Sequence, residues 1–138
     1  MINEIRNFIS ECPCFSGRLI NINHLGSKVG SVSLENAPST LRIKEYTDGE
    51  RLCRAQFILA TRENFSQSLS ANCAASDFFE SFSSWLITQN SLGTLPCLKD
   101  KLTPVSILPD GSHTMKSSSG TTARYEIKFE LCYHESPV

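Results

Sequence analysis

From Thr121 to His134 the chain alternates without a break. Ala123, Tyr125, Ile127, Phe129, Leu131 and Tyr133 fall on one side of an extended backbone, and Arg124, Glu126, Lys128, Glu130, Cys132 and His134 fall on the other. A helix would scatter these apolar residues around its circumference, so the period of two commits this stretch to a strand. One face is apolar and the other alternates in charge, which is the pattern of an antiparallel sheet covered on one side and wet on the other. The apolar side needs a cover, and the rest of the chain has to supply it.

Phe78, Phe82, Trp85, Leu86 and Gln89 recur at helical spacing, with Glu80, Ser81, Ser83, Ser84 and Thr88 directed away from them. Ser76 stands where an N-cap belongs, Asp77 and Glu80 suit the positive end of the helix dipole, Gly93 suits a left-handed C-terminal cap, and Pro96 prevents resumption. Phe65, Leu69 and Cys73 predict a shorter helix before it, with a bend near Ser76. At the amino terminus Ile2, Ile5, Phe8, Ile9 and Cys12 share one side of a short helix stopped by Pro13.

Between and after these helices lie further strand patterns. Leu19–Asn23 is a weak one, Gly26–Gly30 reads as a turn, and Ser31–Glu35 alternates until Ala37-Pro38 breaks it. Leu41–Thr47 leads through Asp48-Gly49 into Leu52–Ala60, which predicts a hairpin from about Leu41 to Arg62. Leu102–Leu108 is a strand in which Pro104 suits a start or an edge. The polar span from Pro109 to Gly120 reads as a mobile loop. Helix, strands, helix, strands in that order predict an α+β fold, a mostly antiparallel sheet with helices packed on one face, within a single domain over 1–138.

Composition closes off several functions. The 138 residues carry 13 basic and 14 acidic side chains, a net charge of -1, which gives no pull toward nucleic acid or an anionic membrane. Apolar runs are too short to span a bilayer, and the first residues lack the apolar core of a secretion signal, so the expectation is a cytoplasmic protein. The cysteines, at 12, 14, 53, 73, 97 and 132, are expected to be reduced thiols; Cys12-Pro13-Cys14 is one residue too tight for a CxxC redox or zinc motif. His24, His113 and His134 each lack a recognisable catalytic setting, and Ser112, His113 and Asp110 are too close in sequence to converge as a triad. Gly26-Ser27-Lys28-Val29-Gly30 lacks the spacing and ending of a phosphate loop. No enzyme activity, cofactor, metal or direct nucleic-acid readout is expected.

Several stretches, taken in order, resemble the minor capsid or tail terminator proteins of long-tailed phages and prophages of Gram-positive bacteria. They are the helix closing at Cys12-Pro13, Tyr46-Thr47-Asp48-Gly49 feeding a strand that ends Phe57-Ile58-Leu59-Ala60-Thr61-Arg62-Glu63, and the helix Phe78-Phe79-Glu80-Ser81-Phe82-Ser83-Ser84-Trp85 leading to Gln89-Asn90 and Gly93-Thr94-Leu95-Pro96. Thr122-Ala123-Arg124-Tyr125-Glu126-Ile127 completes the set. The resemblance implies an α+β virion protein that assembles in the host cytoplasm as a ring, usually a homohexamer, caps the tail tube and offers the surface for head-tail joining. Its partners would be copies of itself, the tail tube protein and a head-completion or neck protein. Arg124, Glu126, Lys128 and Glu130, together with His113 and Lys116 in the polar span, are then candidate interface residues. Another neck or tail component, such as a head-completion protein, is the alternative, and a small enzyme a more distant one.

Overall fold

The computed structural model describes the backbone of all residues but 16, 65–68, 120–121 and 138, and the side chains of all but these and 38–42, 69–75 and 117–119. The elements run α1 (Ile2–Ile9), a 3₁₀ turn (Pro13–Phe15), β1 (Ile20–Ile22), β2 (Val32–Glu45), β3 (Arg51–Asn64), α2 (Leu69–Leu92), β4 (Leu102–Ser119) and β5 (Thr122–Glu135). They form the expected α+β fold. A five-stranded sheet in the order β1-β2-β3-β5-β4 is antiparallel throughout except where β1 joins β2.

Register decides which side chains meet. Cys53, Ala55, Phe57, Leu59 and Thr61 of β3 pair with Tyr133, Leu131, Phe129, Ile127 and Tyr125 of β5, so the predicted apolar face of β5 continues directly into that of β3. Val32 and Leu34 extend it across β2, opposite Thr61 and Leu59. All of these residues are buried. Helix α1 covers the β2 side of this face and α2 the β4 side. Ile5, Phe8 and Ile9 descend from α1, and Phe79, Phe82 and Leu86 from α2. The Phe82 ring meets Phe129 edge-on at 5.6 Å, and Phe129 stacks on Phe57 at 5.6 Å, a geometry that aromatic quadrupoles favour.

The turn between β2 and β3 uses Asp48-Gly49 as expected. Gly49 adopts φ +89°, the Asp48 side chain accepts the Glu50 N–H at 2.9 Å, and the Tyr46 N–H donates to the Glu50 carbonyl at 2.7 Å. Gly93 caps α2 at φ +75°, and the Thr94 N–H reaches back to the Gln89 carbonyl at 3.0 Å.

Four expectations change. Ala37-Pro38 does not end a strand: β2 runs through it, because the ladder skips from Asn36 to Thr40 and Pro38 sits in that irregularity, where no ladder hydrogen bond is required of it. Helix α2 is continuous for 24 residues, so Ser76 is an interior residue and Asp77 and Glu80 lie well past the first turn. Propensity costs of a few tenths of a kcal/mol per residue are too small to break a helix that a sheet holds along its length. Of the Phe65–Leu69–Cys73 stripe, Phe65 and the side chains of Leu69 and Cys73 fall outside the described residues. Within α2 the buried stripe is Phe79, Phe82 and Leu86, with Phe78 and Trp85 on its flanks, half-buried. Finally, 109–119 is strand and not loop: β4 continues as the partner of β5, interrupted by register shifts near Val105, between Asp110 and Thr114, and near Lys116.

Candidate interaction surface

Among the described residues, no helix lies over the face of the sheet opposite the core or over its outer edges. The charged residues of β5 stand on that open face. Arg124 and Glu126 do not reach outward from it. Arg124 reaches across the sheet, its Nη2 2.7 Å and its Nη1 3.0 Å from the two carboxylate oxygens of Glu35, while Nη2 and Nε bond Glu126 Oε2 at 3.0 and 3.2 Å. The route is readable from register. Arg124 lies opposite Arg62 and Glu35 opposite Ile58, so the line between them crosses β3 at Ala60. Only a small residue leaves room for a side chain lying flat there, and Ala60, though on the open face, is fully buried. The Arg124 guanidinium holds the Glu35 carboxyl below its ordinary pKa, chiefly through those hydrogen bonds, and Glu35 raises that of Arg124 in return.

Lys116 on β4 adds a weaker contact, with Nζ 3.8 Å from Glu126. Glu130 is 3.7 Å from Arg54 on β3, and Lys128 is exposed beside a dip of about 210 Å³ that also touches Asp110, Thr114 and Lys116. His113 is elsewhere. It stacks on Phe79 of α2, ring centroids 5.0 Å apart and planes within 8°, at the wall of a cleft of about 470 Å³ between α2 and β4. Thus Arg124, Glu126 and Lys116 converge, Glu130 and Lys128 flank them, and His113 belongs to the opposite side of the sheet. Glu35 and Arg54 complete the network. Strand alternation along Leu52–Ala60 sets Arg54 and Gln56 opposite Cys53, Ala55 and Phe57, but the partnership of Glu35 with Arg124 depends on a register that links residues far apart in the chain.

The edges are the second region. β4 forms one margin and bears three exposed apolar side chains, Val105 at 44%, Leu108 at 38% and Met115 at 47%. At the other margin, β1 covers only Val32, Ser33 and Leu34, so the later half of β2, with Ile43 half-exposed, is also an edge among the described residues. The strands run up in β2, down in β3, up in β5 and down in β4. An open edge with unpaired backbone groups and apolar side chains is a pairing template unless something covers it.

Among the described residues no group of three or more His, Cys, Asp or Glu side chains is placed to hold a metal ion, and no helix is long and apolar enough to cross a membrane. No protein-family model and no curated protein matches the chain.

Proposed function

We propose that this chain is a structural subunit that joins copies of itself edge to edge into a closed ring, and that the ring is a tail terminator, capping a phage tail tube and presenting the surface for head-tail joining. The observation that carries the reading is the pair of open, unlike sheet edges. A ring requires a heterologous contact, one surface of a subunit against a different surface of the next. β4 of one subunit and the later half of β2 of the next meet that requirement. With the two subunits in the same orientation, the descending β4 lies beside an ascending β2, so the joint is antiparallel, like most of the sheet it extends.

In this reading Arg124, Glu35 and Glu126 stiffen the open face, while the exposed Lys128 and the loosely paired Glu130 and Lys116 face the tail tube protein or a head-completion protein. The assignment to a tail terminator rests on the ordered sequence resemblance. It is tested by adding the purified chain to polymerising tail tube protein: tubes of limited length with density at one end are expected, and tubes that elongate unchanged would refute the capping role.

A further inference from the structure

We propose that Cys12-Pro13-Cys14 is a redox-active dithiol that closes into a disulfide by exchange with a small-molecule disulfide such as glutathione disulfide. The two sulfurs lie 2.9 Å apart, within hydrogen-bond reach and closer than unbonded sulfurs ordinarily pack. The spacing that is too short for a CxxC motif is bridged by local structure: Pro13 opens a 3₁₀ turn at the end of the amino-terminal helix, and the turn brings Cys14 back toward Cys12. The five described cysteines, Cys12, Cys14, Cys53, Cys97 and Cys132, are all free thiols.

The two partners differ in access. Cys12 is buried, at 3% exposure, whereas Cys14 is half-buried. A shallow groove of about 450 Å³ lined by Cys12, Pro13, Cys14, Ser81 and Trp85 opens onto them. That asymmetry assigns the roles of attacking and resolving thiol. The Cys14 S–H donates to the Cys12 sulfur, which holds the Cys12 thiol below its ordinary value, and the same hydrogen bond, with burial and the neighbouring charge, pushes Cys14 up.

The chemistry balances as two exchanges. Cys14 Sγ, the accessible sulfur, passes its proton across the 2.9 Å contact to the Cys12 thiolate and attacks one sulfur of the small disulfide, forming a mixed disulfide and expelling one thiolate. Cys12 Sγ then attacks Cys14 Sγ and expels the second. The protein loses two electrons and two protons, and the small disulfide gains them as two thiols.

The test is incubation of the whole purified protein with a glutathione redox buffer, acid quenching and peptide mapping. The tryptic peptide Asn7–Arg18 contains both sulfurs and no other cysteine. Wild type is expected to give this peptide short of two hydrogens and free of adduct, with Trp85 fluorescence falling as the bond forms beside the indole. C12S is expected to trap glutathione on Cys14, and C14S to leave the peptide unreacted. The exposed Cys97 serves as an internal control for oxidant strength. The proposal is overturned if the wild-type peptide stays reduced while Cys97 carries glutathione, or if it accumulates a stable glutathione adduct without closing.

Discussion

Replacing Arg124 by Met keeps the length and apolar stem of the side chain and removes the charge that straps β5 to β2. Two bonds to Glu35 and two to Glu126 are lost, from a guanidinium whose side chain is 22% exposed, against carboxylates 21% and 9% exposed. Breaking a fully buried ion pair costs about 3–5 kcal/mol, and exposed pairs contribute at most about 1. With a fifth of the group in water and Glu126 left only a 3.8 Å contact to Lys116, the loss should be about 2–3 kcal/mol at neutral pH. Urea denaturation followed by circular dichroism measures it, and a cycle with Glu35→Gln should give a coupling of about 1–2 kcal/mol. The pH dependence has a definite sign. Glu35 has a lowered folded pKa, so its contribution is present above the ordinary carboxylate pKa and disappears as the pH falls through the folded value. The gap between wild type and R124M should therefore narrow below about pH 4. A variant within about 0.5 kcal/mol of wild type at pH 7, or a gap that does not change with acid, would refute the internal-strap reasoning. The subunit count of the particle should be the same for both proteins, because the strap lies within one subunit.

Phe82→Ala should destabilise the chain by about 3–5 kcal/mol, as for a fully buried aromatic, and Trp85→Ala by less, because Trp85 is half-buried against Phe8 at 5.1 Å; equal losses in parallel thermal melts would contradict the packing. Thr61→Val should stabilise by about 1 kcal/mol, since the Thr61 hydroxyl is buried in the core without a hydrogen-bond partner among the described residues; a loss of stability in urea would show that the hydroxyl is satisfied. Burial pushes the Tyr133 phenol up to about 12, so its contribution is intact below pH 10 and lost as the pH rises toward 12, a fall of up to about 3 kcal/mol that Y133F should not show in alkaline denaturation.

The parts of the fold that the sequence made legible are those in which one periodicity acts alone. The alternation of Ala123 to Tyr133 predicted a buried face that is buried at every position, and Asp48-Gly49 located the hairpin turn. What was not legible is where tertiary contacts override a local signal. Pro38 and the polar run after Pro109 both read as breaks, yet each lies within a long strand, because neighbouring strands hold the backbone while a register irregularity absorbs the misfit. Ser76 has the chemistry of a cap, but the helix passes through it because its ends are set by what it covers. For the surface, alternation grouped Arg124, Glu126, Lys128 and Glu130 on one face. It could not show that Glu35 would take Arg124 out of play, nor that β4 would present Val105, Leu108 and Met115 at an edge.

The claim that unlike edges join copies of this chain is tested most directly by light-scattering mass after size exclusion, on wild type and on a V105K/M115K variant that places two charges on the β4 margin. The expected result for wild type is a closed particle near six times the 15.3 kDa subunit, and for the variant a folded monomer with an unchanged circular dichroism spectrum. A wild-type chain that remains monomeric at high concentration, or a variant that assembles as well as wild type, would contradict the account.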